Sequence, residues 1–93
     1  MAENFAVIGL GNISKRHRSN LKLTYPEAKI IAMSASGRQP INKVENADKI
    51  ISNLEALIDE KPLFTIIASP ATLHSNHAIP LIKAGIPILI EKP

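Results

Sequence analysis

The sequence predicts an α/β fold, a doubly wound parallel sheet with helices on both faces. Three observations predict it. Short apolar runs alternate with longer, partly polar segments along the whole chain, and such alternation implies right-handed crossovers between parallel strands. The runs are continuous rather than alternating apolar and polar, as strands buried on both faces are. A glycine-rich turn, Gly9-Leu10-Gly11-Asn12-Ile13-Ser14, follows the first run and opens a helical segment.

Each element can be justified in order. Phe5-Ala6-Val7-Ile8 is the first strand, closed by Gly9. Residues 12–23 follow as a helix with a basic, solvated middle and sparse apolar points at Ile13, Leu21 and Leu23. Tyr25-Pro26 breaks it, because the residue before a proline is pushed out of the helical region. Residues 29–33 form the second strand, closed by Ser34-Ala35-Ser36-Gly37. Residues 38–48 are polar and weakly patterned, a loop holding at most one helical turn. Lys49-Ile50-Ile51 is a short third strand. Ser52-Asn53-Leu54-Glu55 matches a capping box with Ser52 as the cap, and Leu54, Leu57 and Ile58 at helical spacing extend an amphipathic helix over residues 52–61. Residues 64–68 are the fourth strand and 69–72 a turn. Residues 73–84 are a helix stopped by Gly85, with Pro80 expected to kink it or loosen one turn. Residues 86–90 are the fifth strand, ending at Glu91.

The chain has 93 residues, room for one small domain. It is 45% hydrophobic and 20% charged, ordinary for a globular protein. Without cysteine it forms neither disulfides nor thiolate metal sites, and no metal site is expected. Aromatics, at 3%, are too few for a base-stacking platform, and no reading helix stands out, so no nucleic-acid partner is expected. No basic segment precedes the first apolar run, and no run approaches a membrane span, so the expectation is a cytoplasmic protein with no membrane partner. The net charge is +3, and its local cluster is Lys15-Arg16-His17-Arg18. That cluster reads either as a solvated face or as a site for an anion.

In open sheets of this kind, ligands bind beyond the carboxyl ends of the strands. Four segments collect there: Gly9-Leu10-Gly11, residues 34–38, residues 69–72, and Glu91-Lys92-Pro93. The glycine turn has the context of a dinucleotide loop. Gly9 allows the tight turn, Gly11 leaves room for a pyrophosphate, and free amides at Asn12 and Ile13 can donate to it. Ser14 stands at the third small position. A tight strand-helix turn with no ligand would also use glycine. The second strand would end in an acid if NAD were the ligand, yet residues 34–38 contain none. Ser36 and Arg38 suit a 2′-phosphate instead, so NADP is expected over NAD, unless Arg38 is simply a solvated loop residue.

The sequence resembles the Gfo/Idh/MocA oxidoreductases in three segments. They are residues 9–17, residues 67–74 with His77-Ala78, and Ala84-Gly85-Ile86-Pro87-Ile88-Leu89-Ile90-Glu91-Lys92-Pro93. The last is similar to the family's A-G-K-H-V-x-x-E-K-P. The sequence departs from the family at Ser14, at Ile86-Pro87 and at Pro80. The resemblance implies a Rossmann-like N-terminal dinucleotide-binding domain over residues 1–93, truncated after its fifth strand. The family's C-terminal α/β domain, which helps oligomerise and supplies substrate groups, is then expected to be missing. By the same resemblance Lys92 is the active-site lysine, bonding a substrate hydroxyl or assisting its proton transfer. Glu91 lies beside the nicotinamide ribose, and Pro93 stiffens the turn. Ser69, Pro70, Thr72 and His74 wall the cofactor. Left to the residues alone, Glu91-Lys92 could be a surface pair and His74 a capping or solvated side chain. His77 reads as structural or surface. Lys15, Arg16 and His17 are expected to face solvent or a partner domain.

Two functions remain open at this level. One is the cofactor-binding part of an NADP-dependent dehydrogenase acting on a sugar, sugar derivative or polyol, a homo-oligomer when complete. The other is a stand-alone nucleotide-binding or regulatory module without chemistry. On either reading the 93-residue chain is expected to be inactive by itself, with an uncovered apolar edge at residues 86–90.

Overall fold

A computed structural model of the chain describes residues 3–38 and 43–91. Among them five strands form one parallel sheet: β1 (Asn4–Ile8), β2 (Lys29–Met33), β3 (Lys49–Ile51), β4 (Phe64–Ile67) and β5 (Ile88–Ile90). The spatial order is β3-β2-β1-β4-β5. Strand order therefore reverses at β1, whose neighbours are β2 on one side and β4 on the other. That reversal opens a crevice at the carboxyl ends, the usual ligand position in open α/β sheets.

Side chains alternate across the sheet, and each parity meets its own helices. Phe5 and Val7 join Ile30, Ile66, Ala28 and Leu21 on the face covered by α1 (Asn12–Thr24). Phe5 also meets the rings of Tyr25 and Phe64, with centroids 5.0 and 4.6 Å away. Ala6 and Ile8 join Ile31, Met33, Ile51 and Ile67 on the opposite face, against Leu57 of α2 (Leu54–Asp59) and Ala78 and Leu81 of α3 (His74–Lys83). Both layers are buried over β1, β2 and β4, which is why these strands carry continuous apolar runs after Asn4 and Lys29, broken only by the buried Thr65, whereas Leu89 and Ile90 of the edge strand β5 are exposed.

Several boundaries differ from the sequence reading. The cap of α2 is Asn53, whose side-chain oxygen accepts from the Ala56 amide at 2.8 Å. Ser52 is one residue too early to reach the third helical amide, and Glu55 falls at the second helical position rather than the third. The fourth strand closes at Ile67 instead of 68, and a 3₁₀ turn (Ala71–Leu73) leads into α3, which starts at His74. As the sequence reading has it, Pro80 falls inside α3, which continues to Lys83. The bond Pro80 cannot make would have gone to the carbonyl of Asn76, an exposed residue that water can serve.

The fifth strand begins at Ile88 rather than 86 because the α3 stop occupies the preceding amides. Gly85 sits at φ +78°, its N–H donates to the Ile82 carbonyl at 3.0 Å, and the Ile86 N–H donates to the Leu81 carbonyl at 3.0 Å. That pair of bonds is the Schellman arrangement, and it leaves Ile86 unable to join the ladder. Residues 38–48 contain no helix where described; residues 39–42 lie outside the described part.

Candidate cofactor site

The glycine turn is held from below and open above. Gly9 has φ +117°, and a Cβ built there would lie 2.6 Å from Ser14 Oγ and 2.9 Å from the Ala68 carbonyl oxygen. No other residue fits that place. Its N–H donates to the Met33 carbonyl at 2.7 Å, so the turn is clamped between the ends of β2 and β4. Gly11 differs in kind. Its φ of −77° suits any residue, and among the described residues a Cβ there would meet nothing within 4 Å. Gly11 caps α1; among the described residues no side chain bonds the helix start, and no acid occupies its first turn. Open space thus faces free amides at Asn12 and Ile13, both exposed residues, at the positive end of a helix dipole. The residues present fit a pyrophosphate.

Around this turn the carboxyl ends of the other strands bring the remaining candidates to one edge. Ser36 and Arg38 follow β2, both exposed, with Arg38 Nε donating to Ser36 Oγ at 3.4 Å. The Ser34 hydroxyl donates to the Arg38 carbonyl at 2.8 Å and shapes that loop. Ser69, Pro70 and Thr72 follow β4, with Pro70 and Thr72 exposed. Ser69 is buried, and its hydroxyl is engaged by His77 Nδ1 at 2.8 Å, so only its backbone is free to wall a cofactor. His74 Nε2 donates to the Ser69 carbonyl at 2.7 Å and braces the turn. Glu91 continues the β5 ladder through its amide, which donates to the Ile67 carbonyl at 2.9 Å. Lys92 and Pro93 lie outside the described residues.

The basic cluster divides rather than acting as one face. Arg16 is exposed and Lys15 pairs with Glu45 at 3.4 Å. His17 turns inward instead of facing solvent, and its Nε2 meets Glu91 Oε2 at 3.0 Å. Arg18 is buried at 3% exposure; Nη1 donates to the Gly9 carbonyl at 3.3 Å and Nε to the Glu45 carbonyl at 3.0 Å. Burial lowers the Arg18 pKa, and the Glu45 charge opposes that shift. The sequence reading missed Arg18 as a separate group. Its signal was helical spacing: Ser14, Arg18 and Leu21 form the buried stripe of α1.

His77 was also more definite than its sequence suggested. It is buried, and desolvation pushes its pKa below the usual histidine range, with the Ala35 backbone opposing and His74 adding to the shift. The ring is therefore neutral at neutral pH and ties α3 to the end of β4 through Ser69. Among the described residues no group of three or more histidines and acids is placed to hold a metal, and no helix is long and apolar enough to cross a membrane.

A parallel sheet reversing at β1, with an open glycine turn at the reversal, defines a Rossmann-type nucleotide-binding domain. The chain belongs to the Gfo/Idh/MocA oxidoreductase family, matching its NAD-binding Rossmann fold over residues 3–93. No curated protein sequence matches the chain. Solved structures resemble it in fold. GenD2 of gentamicin A biosynthesis, in complex with NAD, is 24% identical with a TM-score of 0.77, over 99% of this chain and 27% of that one. The WlbA dehydrogenase of Bordetella pertussis, in complex with NADH and UDP-GlcNAcA, is 22% identical with a TM-score of 0.72, over 100% of this chain and 29% of that one. RSP, a Rex-family repressor, is 19% identical with a TM-score of 0.75, over 99% and 46%. The chain thus spans less than half the length of each of these neighbours.

Proposed function

We propose that the chain is the cofactor-binding part of an NAD(P)-dependent dehydrogenase that acts on a sugar, sugar derivative or polyol. The observation that carries this reading is the open, uncapped helix start at Gly11, set at the strand-order reversal. The nicotinamide, when bound, supplies the hydride acceptor or donor. The chain's own residues would hold and orient it: the turn at Gly9 and Gly11 with the amides of Asn12 and Ile13 on the pyrophosphate, and Pro70, Thr72 and the Ser69 and His74 backbone along its side. Glu91 would lie near the nicotinamide ribose, with one carboxylate oxygen already engaged by His17. Lys92 would hold or move the proton of a substrate hydroxyl. The sugar class rests on the family and on the bound ligand named for the WlbA dehydrogenase, at fold-level similarity only. A homo-oligomeric, cytoplasmic enzyme, with neither nucleic acid nor membrane as partner, completes the proposal.

Ser36 and Arg38, with no acid in residues 34–38, support NADP over NAD. Fluorescence titration with NADPH and NADH tests this directly. NADPH should bind at least roughly tenfold tighter, and Arg38→Ala should erase the difference, since a charge-assisted bond to phosphate is of that order. Equal affinities in the unaltered chain would refute the role of Ser36 and Arg38. In a complete enzyme, Lys92→Ala should cut turnover at least about a hundredfold, the lower range for loss of a proton-transfer group. Near-normal turnover would remove Lys92 from the chemistry.

A further inference from the structure

We propose that Arg18 is a positioning residue for the pyrophosphate turn, holding the Gly9 carbonyl through a brace anchored on the β2–β3 connector. This inference rests on the cofactor-binding reading. One guanidinium makes two backbone bonds in two different segments, Nη1 to Gly9 at 3.3 Å and Nε to Glu45 at 3.0 Å. The first segment is the turn that would carry the pyrophosphate. The second closes the connector whose opening end carries Ser36 and Arg38. Lys15, one turn earlier on α1, adds an ion pair to the same Glu45 at 3.4 Å.

The choice of residue argues for a positional need. Arg18 is only 3% exposed and lies on the buried stripe of α1, beside Ser14 and Leu21. Burying a guanidinium is costly, and an apolar side chain of similar volume would often stabilise such a site as well or better. What an apolar side chain cannot do is fix the direction of a carbonyl. Rotating the Gly9 peptide would redirect the backbone that leads to Gly11, and amide donors lose strength steeply once misaligned. A planar fork fixes two acceptors at a set separation, which a flexible ammonium does not.

The experiment is titration of the 93-residue chain and its Arg18→Met variant with NADPH and with NADH, beside thermal melts of both proteins. The expected result is a Kd at least tenfold higher for both cofactors by the same factor, with their ratio unchanged and the melting temperature kept or raised. The ratio separates Arg18 from Arg38, because the two cofactors share the pyrophosphate and differ only at the 2′-phosphate. A folded Arg18→Met variant with unaltered Kd values, or one in which only the ratio moves, would overturn the inference. If Arg18→Met does not fold, Arg18→Lys replaces it, and a Kd raised less than about twofold would be equally adverse. Should the unaltered chain bind neither cofactor, the cofactor-binding reading itself fails, an outcome distinct from either result with the variant.

Discussion

Gly9 and Gly11 stand two residues apart, yet they answer to different forces. At Gly9 the constraint is internal, because a Cβ would strike Ser14 Oγ and the Ala68 carbonyl at a φ of +117°. Gly9→Ala should therefore cost about 2–4 kcal/mol, the sum of left-handed strain and overpacking. At Gly11 the space is open and the backbone ordinary. Gly11→Ala should leave stability within about 0.5 kcal/mol, as neutral substitutions do, while abolishing NADPH binding if the pyrophosphate occupies that space. Denaturant melts and cofactor titration of both variants check the contrast; Gly11→Ala binding NADPH normally would displace the pyrophosphate from this turn. Ser14 offers the reverse test. The residue is 1% exposed, and its hydroxyl, like that of Thr65, has no hydrogen-bond partner among the described residues. An orphaned buried hydroxyl costs roughly 1–3 kcal/mol, so Ser14→Ala should raise stability by about 1 kcal/mol, and a clear loss would mean that the hydroxyl has a partner in solution. At this scale the sequence identified Gly9 as the residue of a tight turn, because that need follows from turn sterics, while the task it expects of Gly11 awaits the titration. It did not separate Arg18 from its basic neighbours, since a charge cluster and a buried brace share one composition and differ only in helical phase.

Elements were legible where a local rule decided them and shifted where two rules competed. All five strands were found, and β2 and β3 to the residue, because their apolar runs are bounded by polar segments. The cap of α2 was misplaced by one residue, since Ser52 and Asn53 are both good caps and the sequence contains the serine-to-glutamate spacing of a capping box. Only the backbone path decides, and it gives the Ala56 amide to Asn53. Asn53→Ala should thus cost about 1 kcal/mol and Ser52→Ala less than about 0.5 kcal/mol, as measured by chemical denaturation. The opposite ranking would restore Ser52 as the cap. The α3 stop shows the same logic from the other end. Gly85 was foreseen, but the two bonds that make it a full stop also delay β5 by two residues.

At the scale of the molecule, parallel alternation fixed the topology, and what stayed illegible were the ties between distant segments. Three of these ties titrate. His77 of α3 holds Ser69 after β4, ring nitrogen to hydroxyl at 2.8 Å. At the opposite edge of the sheet, Glu60 accepts from Lys29 of β2 and Lys49 of β3, while its carbonyl accepts from Asn4 of β1. The lysine bonds, that of Lys49 foremost, hold the Glu60 carboxyl below its usual range. Asp48 is held low by Lys22 and the Ile30 amide, although its desolvation acts the other way and is the largest single influence. In the folded chain His77, Glu60 and Asp48 all bind their protons less readily than in the unfolded chain. Their contributions to stability are therefore complete above the ordinary pKa of each and are lost as pH falls. His77 governs the first decline, beginning below about pH 6.5, and the carboxylates a second, beginning near pH 4. Melting temperatures across pH 7.5, 5.5 and 3.5 should fall in two steps. His77→Gln should flatten the first step, because the variant ring position no longer takes up a proton on unfolding, and Glu60→Gln should reduce the second without touching the first. Were the upper step to survive His77→Gln, the ring would not be held neutral in the folded chain, and its tie to Ser69 behind the candidate site would have to be weaker than its 2.8 Å contact implies.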